Sequence, residues 1–509
     1  MHIISYIPAE EWPRLETVSR QFRYAVVSLW WQLTDFDISK FFHGIPKFRP
    51  NRAVQLMQTL SDRNKRVTTL RNFRIIARCI NPATFKQISA FTNLSTVSFA
   101  GCSVNLSALS QFLKANTQLK VLDLRCSLSV EDRKLRSQEQ LLQYQRKNDA
   151  LLKSGFSALD GLEALDLSRC DKLCGDLLTA VATHRLKEVA IGGFSFSVDS
   201  LFCFLKRCSL LEILDLSHCG RMLPIESVDD IEASAHTFTN LRSFILGGCA
   251  SNNLFFVKQY LNCVLSRSNN LTELHLQGCP AVSNNVFQKI IKCCRKLRCL
   301  RLCVRGLLPQ TVLLIQGLPD LRILVLDGCH SIDFFDVNTE VISAICKMQT
   351  LEYLNVGLPM EYPKLSSSLL HASHLKGLCI SGACLSNASV AEAVPLPELS
   401  LVFLELPFCN RLSDYGLVLL LPSCPRLKYI DLSGTGISNT GLNKIPFFCK
   451  GLREIKIAGC KKLTCAGIAI FKRKMPAVKV IEDRSGQFSG RIQCSTYALL
   501  SRRLPNAVF

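Results

Sequence analysis

Apolar residues recur along most of this chain with a fixed spacing, and polar residues fill many of the positions between them. The pattern is L-x-x-L-x-L-x-x-C, and its copies start 24 to 30 residues apart, with one step of 43 residues as the exception. Because side chains at alternate positions of a strand point to the same face, each copy predicts a short strand with a buried leucine face. The fourteen copies start at Leu94, Leu119, Leu162, Leu186, Leu211, Leu241, Leu271, Leu297, Leu321, Leu351, Leu375, Leu401, Leu427 and Leu452.

The stretch after each strand has a helical period instead. In "LSDYGLVLLLPSCPRL", for example, apolar residues recur at helical spacing, at Leu412, Leu417, Leu420 and Leu421. A strand and a helix in every copy predict parallel strands on one side and helices on the other. Because a helix is about 10 Å wide and strands lie about 4.8 Å apart, such a stack curves with its strands on the concave face.

These copies resemble leucine-rich repeats, and the cysteine at the ninth position marks the cysteine-containing subtype. The resemblance implies an α/β leucine-rich-repeat solenoid, a curved horseshoe with parallel strands on the concave face and helices on the convex face. Three weaker copies, "LTDFDI" from Leu33, "LRNFRI" from Leu70 and "VKVIED" from Val478, are predicted to be degenerate end units.

The repeat explains many of the 25 cysteines. A small buried thiol at the strand exit can donate its S–H to loop backbone, so we interpret these cysteines as structural. No two cysteines lie three positions apart, so the C-x-x-C spacing of zinc sites is absent and no metal site is expected. The ninth position holds Cys102, Cys170, Cys219, Cys249, Cys279, Cys329, Cys409 and Cys460, and Cys208, Cys294, Cys424 and Cys449 lie three residues before the next copy.

The 43-residue step contains an insertion near residues 127–156. The segment is charged, rich in glutamine and free of Gly and Pro until Gly155, which predicts an exposed helix. Two functions remain open for it, a protrusion that binds a partner and a solvated insertion of the kind that loops tolerate.

The chain opens with a different kind of segment, "IISYIPAEEWPRLETVSRQFRYAVVSLWWQLTDFDI". It resembles the second half of an F-box, in which a Leu-Pro turn precedes L-x-x-V-S/C-R-x-F/W-R and then LW. A second interpretation is a cap for the first repeat, because apolar residues here have helical spacing. The F-box resemblance implies that the adaptor-binding residues are Ile7, Pro8, Leu15, Val18, Phe22, Leu29 and Trp30.

The predicted organisation is partial, all-helical F-box structure over 1–32, a linker with degenerate repeats over 33–93, a solenoid over 94–483 and a basic tail over 484–509. In this order the chain resembles F-box and leucine-rich-repeat proteins, the substrate-recognition subunits of cullin–RING (SCF-type) ubiquitin ligases. The resemblance implies an SCF adaptor, and through it a cullin, as partners of a non-catalytic subunit. The family's pattern begins about ten residues earlier, so a non-ligase scaffold is the alternative.

Repeat arithmetic places several aromatic residues on the predicted concave face. The third, fifth and seventh positions point away from the leucine core. Tyr353, Phe403 and Tyr429 take the third position, and Phe408 follows its strand at the eighth. Exposed aromatics on a rigid surface serve well as binding anchors, which predicts a target-binding site; mutual packing without a ligand is the alternative.

A basic stretch suggests what the target carries. No acidic residue occurs from His275 to Pro319, and Arg298 and Arg301 lie on or beside the strand of this copy. These two side chains are predicted to hold an acidic or phosphorylated target through charge-assisted hydrogen bonds, with a solvated basic patch as the alternative.

Charge and composition narrow the remaining choices. The formal net charge of +21 favours acidic partners, and residues 40–78 and the tail offer only nonspecific contacts to nucleic acid, which is not expected as the main partner. No apolar run is long enough for a membrane span, and Glu10 and Glu11 lie where a signal peptide would be apolar, so cytoplasm or nucleus is expected. No catalytic motif or cofactor is predicted, although a basic pocket for a small polyanion such as an inositol phosphate stays open.

Overall fold

The structure is a computed structural model. It describes residues 91–482 except 103, 129–137, 194–197, 219–237, 249–253, 280–281, 303–306, 327–338, 358–362 and 383–384, and, before residue 91, only 18–21, 26, 35–37, 72–74, 85 and 88. The chain divides into two compact units. Unit 1 comprises Met1–Leu271 with Cys279–Ala281, and unit 2 comprises Thr272–Gly278 with Val282–Phe509.

Unit 1 contains a parallel sheet whose strands pair in chain order. Each strand is short and lies at a predicted L-x-L position, and β1 and β2 come from the weak copies at Leu33 and Leu70. The strands are β1 (Asp35–Asp37), β2 (Asn72–Arg74), β3 (Thr96–Ser98), β4 (Val121–Asp123), β5 (Ala164–Asp166), β6 (Glu188–Ala190), β7 (Ile213–Asp215) and β8 (Ser243–Ile245).

Unit 2 contains a sheet of the same kind, with nine parallel strands in chain order. The weak copy at Val478 supplies the last of them. The strands are β9 (Glu273–Leu276), β10 (Cys299–Leu302), β11 (Ile323–Leu326), β12 (Tyr353–Gly357), β13 (Gly377–Ser381), β14 (Phe403–Glu405), β15 (Tyr429–Asp431), β16 (Glu454–Lys456) and β17 (Lys479–Ile481).

Helices follow the strands, and neighbouring helices pack side by side. Several begin at a polar cap: the side chains of Asn105, Ser283 and Thr464 accept hydrogen bonds from the first-turn N–H groups. The helices described are α1 (Leu106–Ala115), α2 (Gln138–Phe156), α3 (Val198–Leu205), α4 (Leu254–Arg267), α5 (Asn284–Cys293), α6 (Pro309–Leu313), α7 (Thr339–Cys346), α8 (Pro363–Leu370), α9 (Asn387–Ala393), α10 (Asp414–Leu420), α11 (Asn439–Leu442), α12 (Ile445–Phe448) and α13 (Cys465–Lys474).

The leucine pattern builds the core as predicted. In the copy that contains β15, Leu427, Ile430 and Leu432 are completely buried. The same ladder of buried positions recurs through both units, so each repeat buries its apolar face against its neighbours. Parallel strands in register, a helix after most strands and this ladder together make the chain an α/β leucine-rich-repeat solenoid.

The structural interpretation of the cysteines is confirmed at the strand exits. The thiols of Cys170 and Cys460 donate to the carbonyl oxygens of Leu124 and Leu432 in the preceding repeats, with S···O distances of 3.1 and 3.0 Å. Burial raises the pKa of Cys208 to about 12 and that of Cys449 to about 11. These groups are therefore protonated donors and poor nucleophiles at neutral pH.

The inserted segment does form a helix, α2, but the prediction that it is exposed was wrong for one of its faces. Gln145, Asn148 and Asp149 are buried, and Gln145 donates to the carbonyl of Asp171 at 2.7 Å. A Cβ on Gly155 would lie 3.0 Å from Ser110 Cα, so α2 packs closely on α1. Because the buried side chains are polar, the hydrophobic pattern of the sequence did not reveal this buried face.

Candidate binding face on the strands of unit 2

The strand register brings the predicted aromatic positions together. Along β12 to β16 the third repeat positions pair as Tyr353, Gly377, Phe403, Tyr429 and Glu454. The fifth positions pair in the same way as Asn355, Cys379, Glu405, Asp431 and Lys456. All point away from the leucine core, and we call the surface they form, together with Phe408 at the exit of β14, the outer face.

Tyr353 lies on the outer face but is buried, which corrects its predicted exposure. Its side chain is 4% exposed and packs with Val325 and Cys379. The physical reason is the neighbouring strand: Gly377 has no side chain, and the Tyr353 ring fills the space that a Cβ there would occupy. The phenol reaches on to β14, where its hydroxyl donates to Glu405 Oε2 at 3.4 Å.

Phe403 and Tyr429 pack against each other on adjacent strands. Their ring centroids lie 6.0 Å apart with the planes tilted by 45°. Phe403 is half-buried, whereas Tyr429 is 9% exposed, so its predicted exposure was also wrong. The Tyr429 hydroxyl makes no hydrogen bond within the part of the chain that the structure describes. Phe403 and Tyr429 therefore form one packed aromatic pair, in which the buried Tyr429 hydroxyl has no hydrogen-bond partner among the described residues.

Charged residues lie beside this aromatic pair. Burial, and then the nearby Asp431, raise the pKa of Glu405 above its usual value. The Lys456 ammonium lies 3.9 Å from the Asp431 carboxylate and 5.3 Å from the centre of the Tyr429 ring. Two acidic side chains and one ammonium meet here, an arrangement that disfavours a further acidic group.

Phe408 is the exposed aromatic of the set. Its side chain is 46% exposed, and its φ of +63° lies in the left-handed region. The ring lies over Gly434 of the next repeat, whose missing Cβ leaves room for it. A bulky residue in this conformation costs about 1 kcal/mol relative to glycine.

The two predicted arginines do not form a shared anion site on this face. Arg298 is exposed and directly precedes β10. Arg301 is only 5% exposed, which corrects its predicted availability to a target. It lies near His275, whose pKa falls to about 3 because of burial and then of the Arg301 charge. Arg301 is thus enclosed by its own strand neighbours.

The predicted adaptor residues fall mostly outside the described residues. This applies to Ile7, Pro8, Leu15, Phe22, Leu29 and Trp30. Val18 is described and is 65% exposed, whereas Val26, on a helical turn, is completely buried. One predicted contact residue is therefore accessible, and a nearby apolar position faces inward.

Sequence reasoning missed Glu405 and Asp431 as members of the site. Both occupy the fifth repeat position, next to Phe403 and Tyr429, so the repeat register alone could have revealed them. The fifth position also has a local structural use: Asp431 Oδ1 accepts the Ser433 N–H at 2.9 Å, and Asp166 accepts that of Ser168. Local bonding thus holds the Asp431 carboxylate, whereas Glu405 accepts the Tyr353 hydroxyl instead.

Among the described residues, no three His, Cys, Asp or Glu side chains converge in a way that could bind a metal ion. The helices in the same part of the chain include none with the length and apolar character that a membrane crossing requires.

Comparison with known proteins gives distant likenesses. No family model matches the chain. A crystal structure of a Rad7 and Elc1 complex in yeast is similar with 18% identity and a TM-score of 0.48, covering 70% of this chain and 96% of that one. The leucine-rich repeat-containing protein LegL7 from Legionella pneumophila has 16% identity and a TM-score of 0.34, covering 51% and 88%. Both scores are below 0.5, so the leucine-rich-repeat assignment depends on the strand register and the buried leucine ladder of this chain.

Proposed function

We propose that this protein is the substrate-recognition subunit of a cullin–RING ubiquitin ligase of the SCF type. In this proposal the opening segment binds the ligase adaptor, and the adaptor links the chain to a cullin. The outer face of unit 2 binds the target protein. The protein then acts where such ligases act, in the cytoplasm or the nucleus.

One observation carries the proposal: an F-box-like segment leads directly into a leucine-rich-repeat sheet. The motif "VSRQFR" and the following "LWW" end at Trp31, and β1 begins at Asp35 and pairs with β2. The same order and spacing characterise the receptor class that the sequence resembles. Val18, inside the motif, is exposed, as an adaptor contact in the free chain must be.

The target site is supported by the geometry of the outer face. Phe408 offers an exposed ring in the same repeat as Phe403, and aromatic anchors of this kind dominate binding energy in protein interfaces. The acidic side chains of Glu405 and Asp431 favour a target that is neutral or basic where it meets the strands β14 and β15. The receptor itself needs no catalytic group, because holding a target lysine near the conjugating enzyme raises its effective concentration.

Adaptor binding by the full chain tests the proposal. We expect saturable binding of purified SCF adaptor to the wild-type protein, and loss of binding in the triple variant Pro8→Ala/Leu15→Asp/Trp30→Ala. The matched control is Phe408→Ala, which changes the outer face and should bind the adaptor as the wild type does. Both variants must still melt cooperatively.

Absence of binding by the folded wild-type protein would overturn the ligase assignment. The repeat sheet with its outer face would then support the alternative, a leucine-rich-repeat scaffold that binds a protein without recruiting a ligase.

A further inference from the structure

The helix side of the last repeats in unit 2 contains an open groove that the proposed function does not use. Its volume is about 470 Å³, and it lies between the α11–α12 segment and α13. Asn439 at its base is firmly held, since its Oδ1 accepts the Thr464 N–H at 3.1 Å. The lining residues are Asn439, Thr440, Asn443, Lys444, Phe447, Ile470 and Lys474.

An aromatic ring between two lysines is the main feature of this groove. Phe447 is 66% exposed, and Ile470 nearby is 39% exposed. The Lys444 and Lys474 ammonium groups lie 6.0 and 5.9 Å from the centre of the Phe447 ring. Neither lysine pairs with a carboxylate among the described residues. The groove thus presents an apolar flat surface with a free positive charge on either side.

The surrounding chain is strongly basic. Residues 431–482 contain ten Lys or Arg and three acids, Asp431, Glu454 and Glu482. Lys456, Lys479 and Lys472 pair with these acids at 3.9, 3.1 and 2.7 Å, so the ten basic side chains exceed the acidic ones by seven. Lys428 and Arg453, which directly precede β15 and β16, are also exposed. Two lysines would match a short acidic peptide, but a surplus of this size matches an extended polyanion.

We propose that this groove binds single-stranded nucleic acid. A base stacks on Phe447, and the phosphates on its two sides lie at Lys444 and Lys474. Single strands alternate flat apolar bases with phosphates, which is the order of chemistry that the groove presents, whereas a duplex keeps its bases stacked inside. The site lies on the helices, so it is independent of the outer face and of the ligase proposal.

Fluorescence anisotropy with the full-length protein and a labelled 20-nucleotide single-stranded DNA of mixed sequence tests the site. We expect Phe447→Ala to weaken binding about tenfold, the effect of losing one stacked base. Lys444→Ser/Lys474→Ser should reduce the slope of log affinity against log salt by about 1.4, because two phosphate contacts are lost.

The controls match each change elsewhere on the surface. Tyr415→Ala removes another exposed aromatic, on α10, and Lys114→Ser/Lys147→Ser removes two exposed lysines of unit 1. Both should bind as the wild type does. Three results would each overturn the proposal: wild-type affinity in Phe447→Ala with an unchanged melting curve, equal affinity for the duplex of the same sequence, or displacement of the DNA by a 20-residue polyglutamate at equal concentration.

Discussion

At the scale of single residues, the backbone is left-handed at the eighth repeat position, where any residue other than glycine is strained. All eleven described eighth positions have a positive φ, and seven of them are glycine. Phe408 is one of the four exceptions, so its ring is retained at a conformational cost. The next repeat supplies Gly434 beneath it, which shows that the two repeats fit together around the ring.

We predict that Phe408→Gly is more stable to urea unfolding than Phe408→Ala by about 1 kcal/mol, because only glycine relieves the left-handed strain. Both variants lose the exposed ring and should bind the target equally weakly. Equal stability of the two variants would mean that the backbone at this position is not strained. Retained target binding in either variant would remove Phe408 from the site.

Tyr353 and Gly377 form a pair that can be tested by a double-mutant cycle. A Cβ on Gly377 would overlap the Tyr353 ring, so Gly377→Ala should lower the free energy of unfolding by about 1–3 kcal/mol. In a Tyr353→Ala background the same change should cost much less, because the ring is gone. Equal costs in the two backgrounds, measured by denaturant unfolding, would show that the ring does not occupy this space.

These two residues also show what a local pattern cannot reveal. The third-position rule placed Tyr353, Phe403 and Tyr429 on the correct face of the correct strands. It missed the burial of Tyr353 and Tyr429. For Tyr353 the deciding partner is Gly377, which lies on the neighbouring strand and 24 residues away in sequence. The register follows from the repeat, but the filling of a gap depends on side chains that meet only after folding.

At the scale of elements, α2 is attached to the solenoid by a buried carboxylate. Asp149 is completely buried and accepts the Leu177 N–H at 2.8 Å and the Cys174 N–H at 3.4 Å. Burial raises its pKa to about 6, although both hydrogen bonds act in the opposite direction. The sequence of α2 is rich in Gln, Asn and Asp, so it predicted an exposed helix. Polar side chains that hydrogen-bond to loop backbone cannot be distinguished from solvated ones by sequence alone.

We predict a pH dependence of stability from this residue. Between about pH 4 and pH 6 the folded chain keeps a proton on Asp149 that the unfolded chain has lost. The contribution of Asp149 to the free energy of unfolding is therefore complete below about pH 4 and is lost as the pH rises through about 6. A pKa shift of roughly two units corresponds to a loss of about 3 kcal/mol.

The Asp149→Asn variant isolates this effect. This variant has no titrating group at position 149 and one hydrogen-bond acceptor fewer. Its free energy of unfolding should therefore differ from that of the wild type by a constant amount plus the predicted pH-dependent difference. Urea unfolding of both proteins at intervals from pH 4 to pH 7 measures it. Parallel stability curves would contradict the buried position of the carboxylate.

At the scale of the whole molecule, a simple repeat rule accounts for most of the described architecture. It located the strands, including the weak copies at Leu33, Leu70 and Val478, and the cysteines at the strand exits. It did not reveal the division into two units, the packing of Tyr353 into the space at Gly377 or the groove at Phe447. Those features depend on which variable residues meet across repeats, whereas the rule fixes only the invariant ones.

The central claim is that the chain joins a target-binding face to a ligase, and assembly tests it most directly. We would mix the full-length protein with purified SCF adaptor and cullin and measure the mass of the product by size-exclusion chromatography with light scattering. The proposal predicts a single complex with one copy of each component, which does not form when Pro8→Ala/Leu15→Asp/Trp30→Ala replaces the wild type. A folded wild-type chain that elutes alone, beside an intact adaptor–cullin complex, would contradict it.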